Sequence, residues 1–153
     1  MDVSDILIRT ATLQDARIIH SFIEQNKFQK DGKGSLLSVS YEEIEKRVSD
    51  GDFFLGIINE NIVGCISLIE YDGIAEIRSF IVLPEFRGRG IGKALLDACI
   101  LEAKKHDYDK IYALTHESVF GFFEKNGFVK VEVPEQKLEK DCAKCPLFGN
   151  GCN

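Results

Sequence analysis

Apolar and polar positions alternate along the chain in two distinct periods, and the switches between them mark its elements. Residues 6–9 form a short apolar run that reads as a first strand. Thr12, followed three residues later by Asp15, has the form of a capping box. The spacing after it predicts an amphipathic helix through about Asn26. Residues 29–35, with Gly32 and Gly34 among lysines, read as a polar loop. Ser40-Tyr41-Glu42-Glu43 is a second capping signature, before a short helix ending near Ser49. Residues 53–58 and 62–69 are rich in β-formers and flank the polar turn Asn59-Glu60-Asn61, so they predict a hairpin. Residues 74–83 read as a further strand, stopped by Pro84.

From Gly90 the period becomes helical, with Ile91, Ala94, Leu95, Ala98, Cys99 and Ala103 on one face. Lys104, Lys105 and His106 close that helix with the charge its C-terminal dipole favours. A strand over 110–114, a helix over 119–125 capped by Gly127, and a last strand over 128–133 complete the order β-α-α-β-β-β-α-β-α-β. The pattern is that of a mixed α/β domain over residues 1–133 without internal repeats. A cysteine-containing tail, residues 134–153, packs on that domain or extends it.

A chain of 153 residues fits one domain, and 44% hydrophobic with 29% charged residues is ordinary for a globular protein. No apolar run approaches the roughly 20 residues of a membrane span, and the N-terminus lacks the basic start of a signal peptide, so a cytoplasmic location is expected. The net charge of -6 argues against nucleic acid as a partner. It also requires that any anionic ligand be met by locally placed cations. Of five cysteines, Cys65 and Cys99 sit in apolar patterns and read as core residues. An odd count in such a chain does not suggest a disulfide framework.

Candidate chemistry concentrates where a strand meets Arg87-Gly88-Arg89-Gly90-Ile91-Gly92 and then a helix. Glycines let backbone N–H groups approach an anion, and the helix start adds unpaired N–H groups and the positive end of its dipole. The dinucleotide fingerprint needs G-x-G-x-x-G, whereas these glycines stand at 88, 90 and 92. The Walker loop needs Ser or Thr after Gly-Lys, whereas Ala94 follows Lys93. The run Val82-Leu83-Pro84-Glu85-Phe86-Arg87-Gly88-Arg89-Gly90-Ile91-Gly92-Lys93 instead resembles the acyl-CoA signature of the GNAT superfamily of N-acetyltransferases. Phe122-Phe123-Glu124-Lys125-Asn126-Gly127-Phe128 resembles that family's second signature.

The resemblance implies a GNAT fold: a central, mostly antiparallel mixed sheet flanked by helices. It implies acetyl-CoA as acetyl donor, with the pyrophosphate at Arg87, Gly88, Arg89, Gly90, Ile91, Gly92 and Lys93. Backbone donors near Ile81, Val82 and Leu83 would meet the pantetheine and the thioester oxygen. Glu76 stands where several family members carry a general base, with an ion pair to Arg78 as its alternative role. Phe123 replaces the tyrosine that often serves as general acid, which leaves open a thiolate that departs unassisted or is protonated by water, or by Tyr112 or His116 nearby. His20 and His106 carry no functional signal.

A narrower resemblance joins Ala75-Glu76-Ile77-Arg78-Ser79 with the tail from Lys137 through Asp141-Cys142-Ala143-Lys144-Cys145-Pro146. These segments are similar to the short, single-domain N-acetylglutamate synthases of arginine biosynthesis. That likeness implies an amino acid such as L-glutamate as acceptor, bound by Arg78, Ser79 and Lys137. Three departures stand against it: Val39 in place of an arginine, a longer loop from His116 to Phe120, and Glu139 in place of an aromatic. Another amine or a protein amino group stays open, as does an acetyl-CoA-binding regulatory domain without turnover. Cys142, Cys145 and Cys152 are one short of a closed tetrahedral zinc site. No metal is expected, although a metal-dependent tail or a redox pair stays open, and so does a homodimer.

Overall fold

The structure is a computed structural model that describes residues 5–26, 39–71, 73–108, 110–113 and 120–129. The elements are β1 (Leu7–Thr10), α1 (Ala16–Gln25), α2 (Tyr41–Ser49), β2 (Phe53–Ile58), β3 (Asn61–Tyr71), β4 (Ile74–Val82), α3 (Ile91–Lys105), β5 (Tyr112–Ala113) and α4 (Phe120–Lys125). The five strands among the described residues form one sheet in chain order. The first three pairings are antiparallel and β4–β5 is parallel. This is the mostly antiparallel mixed sheet expected. The tail, the loop over 29–35 and residues 130–133 lie outside the described residues. Phe128 and Val129, expected to begin a last strand, belong to no strand.

The β2–β3 turn places Asn59 and Glu60 at φ +49° and +67°, so both central residues of the hairpin are left-handed. That geometry matches the twist of the flanking strands. At its other end β3 pairs with β4 and runs on to Tyr71, two residues beyond the expected end.

Alternation along the strands sorts the core into two layers. Phe53, Leu55 and Ile57 of β2 pack with Ala16, Ile19 and Ile23 of α1 and with Ile44 and Val48 of α2. On the other side, Ile66, Leu68, Ala75 and Ile77 meet α3 through Ile91, Leu95, Leu96, Cys99 and Ala103. Complete burial of the Val, Leu, Ile and Phe side chains among them contributes about 1.5–3 kcal/mol each. Within α3, Leu96 is buried while Ala94 and Ala98 lie at the edge of the contact, so the buried stripe is rotated slightly from the expected one. Cys65 and Cys99 are buried free thiols, and burial pushes each up to about 12.

The entry to α1 is fixed by Asp15. Its carboxylate accepts from the Thr12 backbone N–H (2.8 Å), the Thr12 hydroxyl (3.1 Å) and both terminal nitrogens of Arg9 (2.8 and 3.1 Å). A 3₁₀ turn over Leu13–Asp15 intervenes before α1 begins at Ala16. The hydrogen bonds from Arg9 are the main cause that holds the Asp15 carboxyl down at about 2. Asp52, where the chain enters β2, is shifted the other way: burial, then the charge of Asp50, pushes it up to about 6.

These two carboxyls make opposite pH predictions. Asp15 lies below the ordinary 3.8, so its contribution is complete above about pH 4 and lost as pH falls toward 2. Asp15→Ala lowers stability by about 1–2 kcal/mol at neutral pH in denaturant titrations, a loss that shrinks toward pH 2. Asp52 lies above 3.8, so the stability linked to its protonated form is present below about pH 4 and lost as pH rises through 6. Asp52→Asn therefore raises the melting temperature at about pH 8 and has little effect at about pH 3.

Candidate active site

A bulge in β4 organises the site. Cys65 pairs with Ile81 and Ser67 with Arg78, so Ile66 of β3 stands opposite two residues of β4, Ser79 and Phe80. Ser79 has φ +53°, an uncommon conformation for a residue with a side chain. The extra residue reverses the parity of the strand. Ala75 and Ile77 face α3 before it, whereas Phe80 and Val82 pack on that side after it and Ile81 turns to the α1/α2 side. Glu76 and Arg78, alternating with Ala75 and Ile77, therefore project to the α1/α2 side.

Side chains of β3 satisfy the carbonyls at this kink. The Ser67 hydroxyl donates to the Arg78 carbonyl at 2.7 Å, and the Cys65 thiol donates to the Ser79 carbonyl at 3.4 Å. Both side chains are fully buried. Ser79, expected to touch substrate, is thus the bulge residue itself. Gly64 is needed nearby, because a Cβ there would lie 2.8 Å from the Ile81 carbonyl oxygen.

Beyond the bulge the backbone polar groups of β4 point alternately toward β3 and away from it. The Leu83 N–H donates to the Val63 carbonyl at 2.8 Å. Val82, of opposite phase, therefore directs its own toward the β5 side. The Val82 carbonyl accepts from Arg87 Nε at 2.9 Å, in agreement with that phase. Among the described residues, β5 pairs with β4 only at Glu76–Tyr112 and Ile77–Ala113. Of the three expected donor positions, Leu83 is thus committed to β3 and Val82 is turned outward.

Glu76 is the one buried glutamate among the described residues, 2% exposed. Its Oε1 accepts from Arg78 Nε at 2.9 Å, and its Oε2 accepts from Arg78 Nη2 at 3.1 Å and from the Tyr71 hydroxyl at 2.6 Å. The Arg78 guanidinium also lies over the Tyr71 ring, 5.7 Å from its centroid. The ion pair read as the alternative role of Glu76 is present. Tyr71 was missed by the sequence reading because it stands beyond the expected end of β3.

The glycine loop follows a 3₁₀ turn over Pro84–Phe86. Gly88 and Gly90 are left-handed, at φ +78° and +86°. Gly90 caps α3 and donates no side-chain cap, so the first N–H groups of α3 receive none from it. A Cβ at Gly88 would meet nothing within 4 Å, and Arg87, Gly88, Arg89, Gly90 and Lys93 are exposed around this opening. Arg89 lies over the Phe86 ring at 5.4 Å, and Lys93 pairs with Asp97 at 2.9 Å. Open left-handed glycines, flanking guanidinium groups and a helix start suit a pyrophosphate.

Gly92 leaves room for Phe122, whose ring would lie 3.4 Å from a Cβ there. Phe80, Phe122, Phe123 and Phe128 pack edge to face, with centroids 5.1–6.1 Å apart. Phe123 is buried in this cluster. Gly127, at φ +90°, ends α4 as expected, with the Phe128 N–H returned to the Phe123 carbonyl.

The match to the Acetyltransferase (GNAT) family covers residues 17–128. The chain belongs to the GNAT family. This GNAT acetyltransferase is 33% identical over 149 residues to an uncharacterized N-acetyltransferase of Chlorobaculum tepidum, covering 95% of this chain and 91% of that protein. It is 31% identical over 137 residues to the amino-acid acetyltransferase of Vibrio atlanticus, covering 87% of this chain but 29% of that protein. It thus spans under a third of that longer relative. Among solved structures, N-acetylglutamate synthase from Neisseria gonorrhoeae, complexed with coenzyme A and N-acetyl-glutamate, aligns with a TM-score of 0.80 at 24% identity. That match covers 96% of this chain and 34% of that one. A Mycobacterium tuberculosis protein in complex with CoA aligns with a TM-score of 0.73 at 22% identity, covering 94% and 84% of the two chains. These likenesses establish the GNAT fold.

The remaining expectations divide by position. Tyr112 stands beside Glu76 in the sheet register, while His116, Lys137 and the three tail cysteines lie outside the described residues. No group of three metal-ligating side chains occurs among the described residues, and no described helix is long and apolar enough to cross a membrane. His20 packs edge to face on Tyr41. His106 lies between the carboxylates of Glu70 and Glu102, and its hydrogen bond with Glu70 raises its pKa. Val39, in place of a cation, packs against the α1/α2 core layer.

Ser67→Ala deprives the Arg78 carbonyl of its side-chain donor and is expected to cost about 1–3 kcal/mol. Denaturant titration measures this, and an unchanged midpoint would show that the bulge holds without the hydroxyl.

Proposed function

We propose that this GNAT acetyltransferase transfers the acetyl group of acetyl-CoA to the amino group of a carboxylate-bearing amino acid, with L-glutamate the leading acceptor. The observation that carries the acceptor class is Arg78. It is a partly exposed guanidinium beside the β4 bulge, on the same face as a buried carboxylate. Guanidinium is the best bidentate partner for a carboxylate. The amino-acid acetyltransferase and N-acetylglutamate synthase relatives support the same class. Lys137 supplies a second cation in this reading, and the apolar Val39 leaves more of the recognition to Arg78.

Arg87, Gly88, Arg89, Gly90, Ile91, Gly92 and Lys93 hold the donor's pyrophosphate, and the outward N–H of Val82 meets the pantetheine arm and the thioester oxygen. The donor supplies an acetyl group activated as a thioester. A preorganised N–H aimed at the developing oxyanion is typically worth about 10²–10³ in rate. Glu76 is the proton acceptor. An ionised carboxylate offers about four lone-pair sites, and three are used by Tyr71 and Arg78, which leaves one on Oε1 among the described residues. Phe123 has no proton to give, so the departing thiolate is protonated from elsewhere.

A second reading, an acetyl-CoA-binding regulatory domain without turnover, is favoured by the buried Phe123 and by the covered state of Glu76. Thiol release from acetyl-CoA with a panel of acceptors separates the two. Turnover is expected with glutamate. Donor binding without thiol release from any acceptor would favour the regulatory domain. Turnover with neutral or cationic amines but not with glutamate would sink the acceptor assignment. Arg89→Gln is expected to raise KM for acetyl-CoA by about tenfold while leaving KM for the acceptor near its original value.

A further inference from the structure

The two groups that acetyl transfer to an amino acid needs, an acceptor anchor and a base, are engaged with each other. Arg78 forks onto both oxygens of Glu76, at 2.9 and 3.1 Å, and the Tyr71 hydroxyl holds Oε2 at 2.6 Å. In this arrangement a proton arriving at Glu76 must compete with charge-assisted hydrogen bonds, and an arriving carboxylate must compete with Glu76 for the guanidinium. The pair is asymmetric: the Glu76 side chain is 3% exposed and that of Arg78 is 31% exposed. A carboxylate from solvent therefore reaches the guanidinium and not its buried partner.

We propose that Tyr71, Glu76 and Arg78 form a latch operated by the acceptor's own carboxylate. The incoming carboxylate takes the guanidinium and uncovers Glu76, while the Tyr71 phenol keeps Oε2 where it was. Tyr71 is thus a positioning residue, and its ring gives the guanidinium a surface to slide over. The latch rests on the reading of Arg78 as anchor and Glu76 as base.

The chemistry that follows is balanced. Glu76 takes one proton from the acceptor's ammonium. The freed nitrogen lone pair forms the C–N bond to the thioester carbonyl carbon. The C–S bond breaks with its electron pair on sulfur, and the second N–H proton leaves to the thiolate or to solvent. Glu76 then releases its proton and Arg78 closes again as the product carboxylate departs. An amine without a carboxylate leaves the latch shut. Its penalty falls on kcat and not on KM alone, which a static ion pair does not produce.

The full chain with acetyl-CoA tests this on L-glutamate and on its diamide, in which both carboxylates are neutral. The diamide is expected to show kcat lowered by about tenfold or more. Added acetate is expected to raise the diamide's kcat saturably in the wild-type chain. Arg78→Gln, with its base permanently uncovered, should use the diamide faster than wild type does and show no response to acetate. Tyr71→Phe should shift the pH profile of kcat while KM for glutamate stays within about twofold.

Without any acetyl donor, titration with glutamate should move the Arg78 Nε–H resonance, and titration with the diamide should not. The acetate experiment needs no variant, so a misfolded substitution does not decide the matter. Equal kcat for glutamate and diamide, without an acetate effect, overturns the latch and leaves the proposed function standing. Absence of turnover with both removes the functional reading and the latch with it.

Discussion

Ser79 takes a left-handed backbone conformation in the middle of a strand, and the buried Ser67 and Cys65 side chains hold the carbonyls on either side of that kink. A regular β4 would keep every even residue on one face. With one residue inserted, the strand presents Glu76 and Arg78 toward α1 and α2, then turns Phe80 and Val82 toward α3. A polar face and an apolar, loop-bearing end are thereby joined within a single strand. The polar face carries the candidate acceptor chemistry, and the far end leads directly into the glycine loop and α3.

Local charge works against the global field. The chain carries a net -6, yet Arg87, Arg89 and Lys93 cluster at the start of α3, where the helix dipole and the uncapped N–H groups add to them. Arg9 and Arg47 are paired with Asp15 and Glu43, and Lys93 of the cluster itself is paired with Asp97. Arg78 is paired as well, but with a buried partner and beside an aromatic ring. That pairing differs in consequence from a surface ion pair, whose worth is about 0–1 kcal/mol.

Sequence order, strand composition and glycine spacing made most of the fold legible. The capping pairs at Thr12/Asp15 and Ser40/Glu43, the polar hairpin turn and the switch of period at Gly90 are local signals, and local signals survive in a single sequence. The helix after the loop was readable because its apolar stripe has to face the sheet. The bulge was not readable, because serine carries no mark of a left-handed residue as glycine does. Without the bulge, the outward phase of Val82 and the commitment of the Leu83 N–H to Val63 could not be assigned. Tyr71 escaped for a related reason: its contact with Glu76 exists only because β3 runs two residues past Ile69, and strand length depends on pairing across the hairpin. The ion pair between Glu76 and Arg78 was legible as an alternative, since residues two apart on a strand share a face.

The inserted residue of β4 also makes chain length itself part of the design. Replacing Ser79 changes one side chain, and the backbone can still follow its path at some cost in strain. Removing it would shift Phe80, Ile81 and Val82 by one pleat, send each to the opposite layer, and move the glycine loop back along the sheet by about 3.3 Å. Relatives of this chain can therefore drift in side-chain identity around the kink far more readily than in the number of residues between Glu76 and Gly88. Counting residues across that interval is a sharper guide to a shared site than comparing the letters within it.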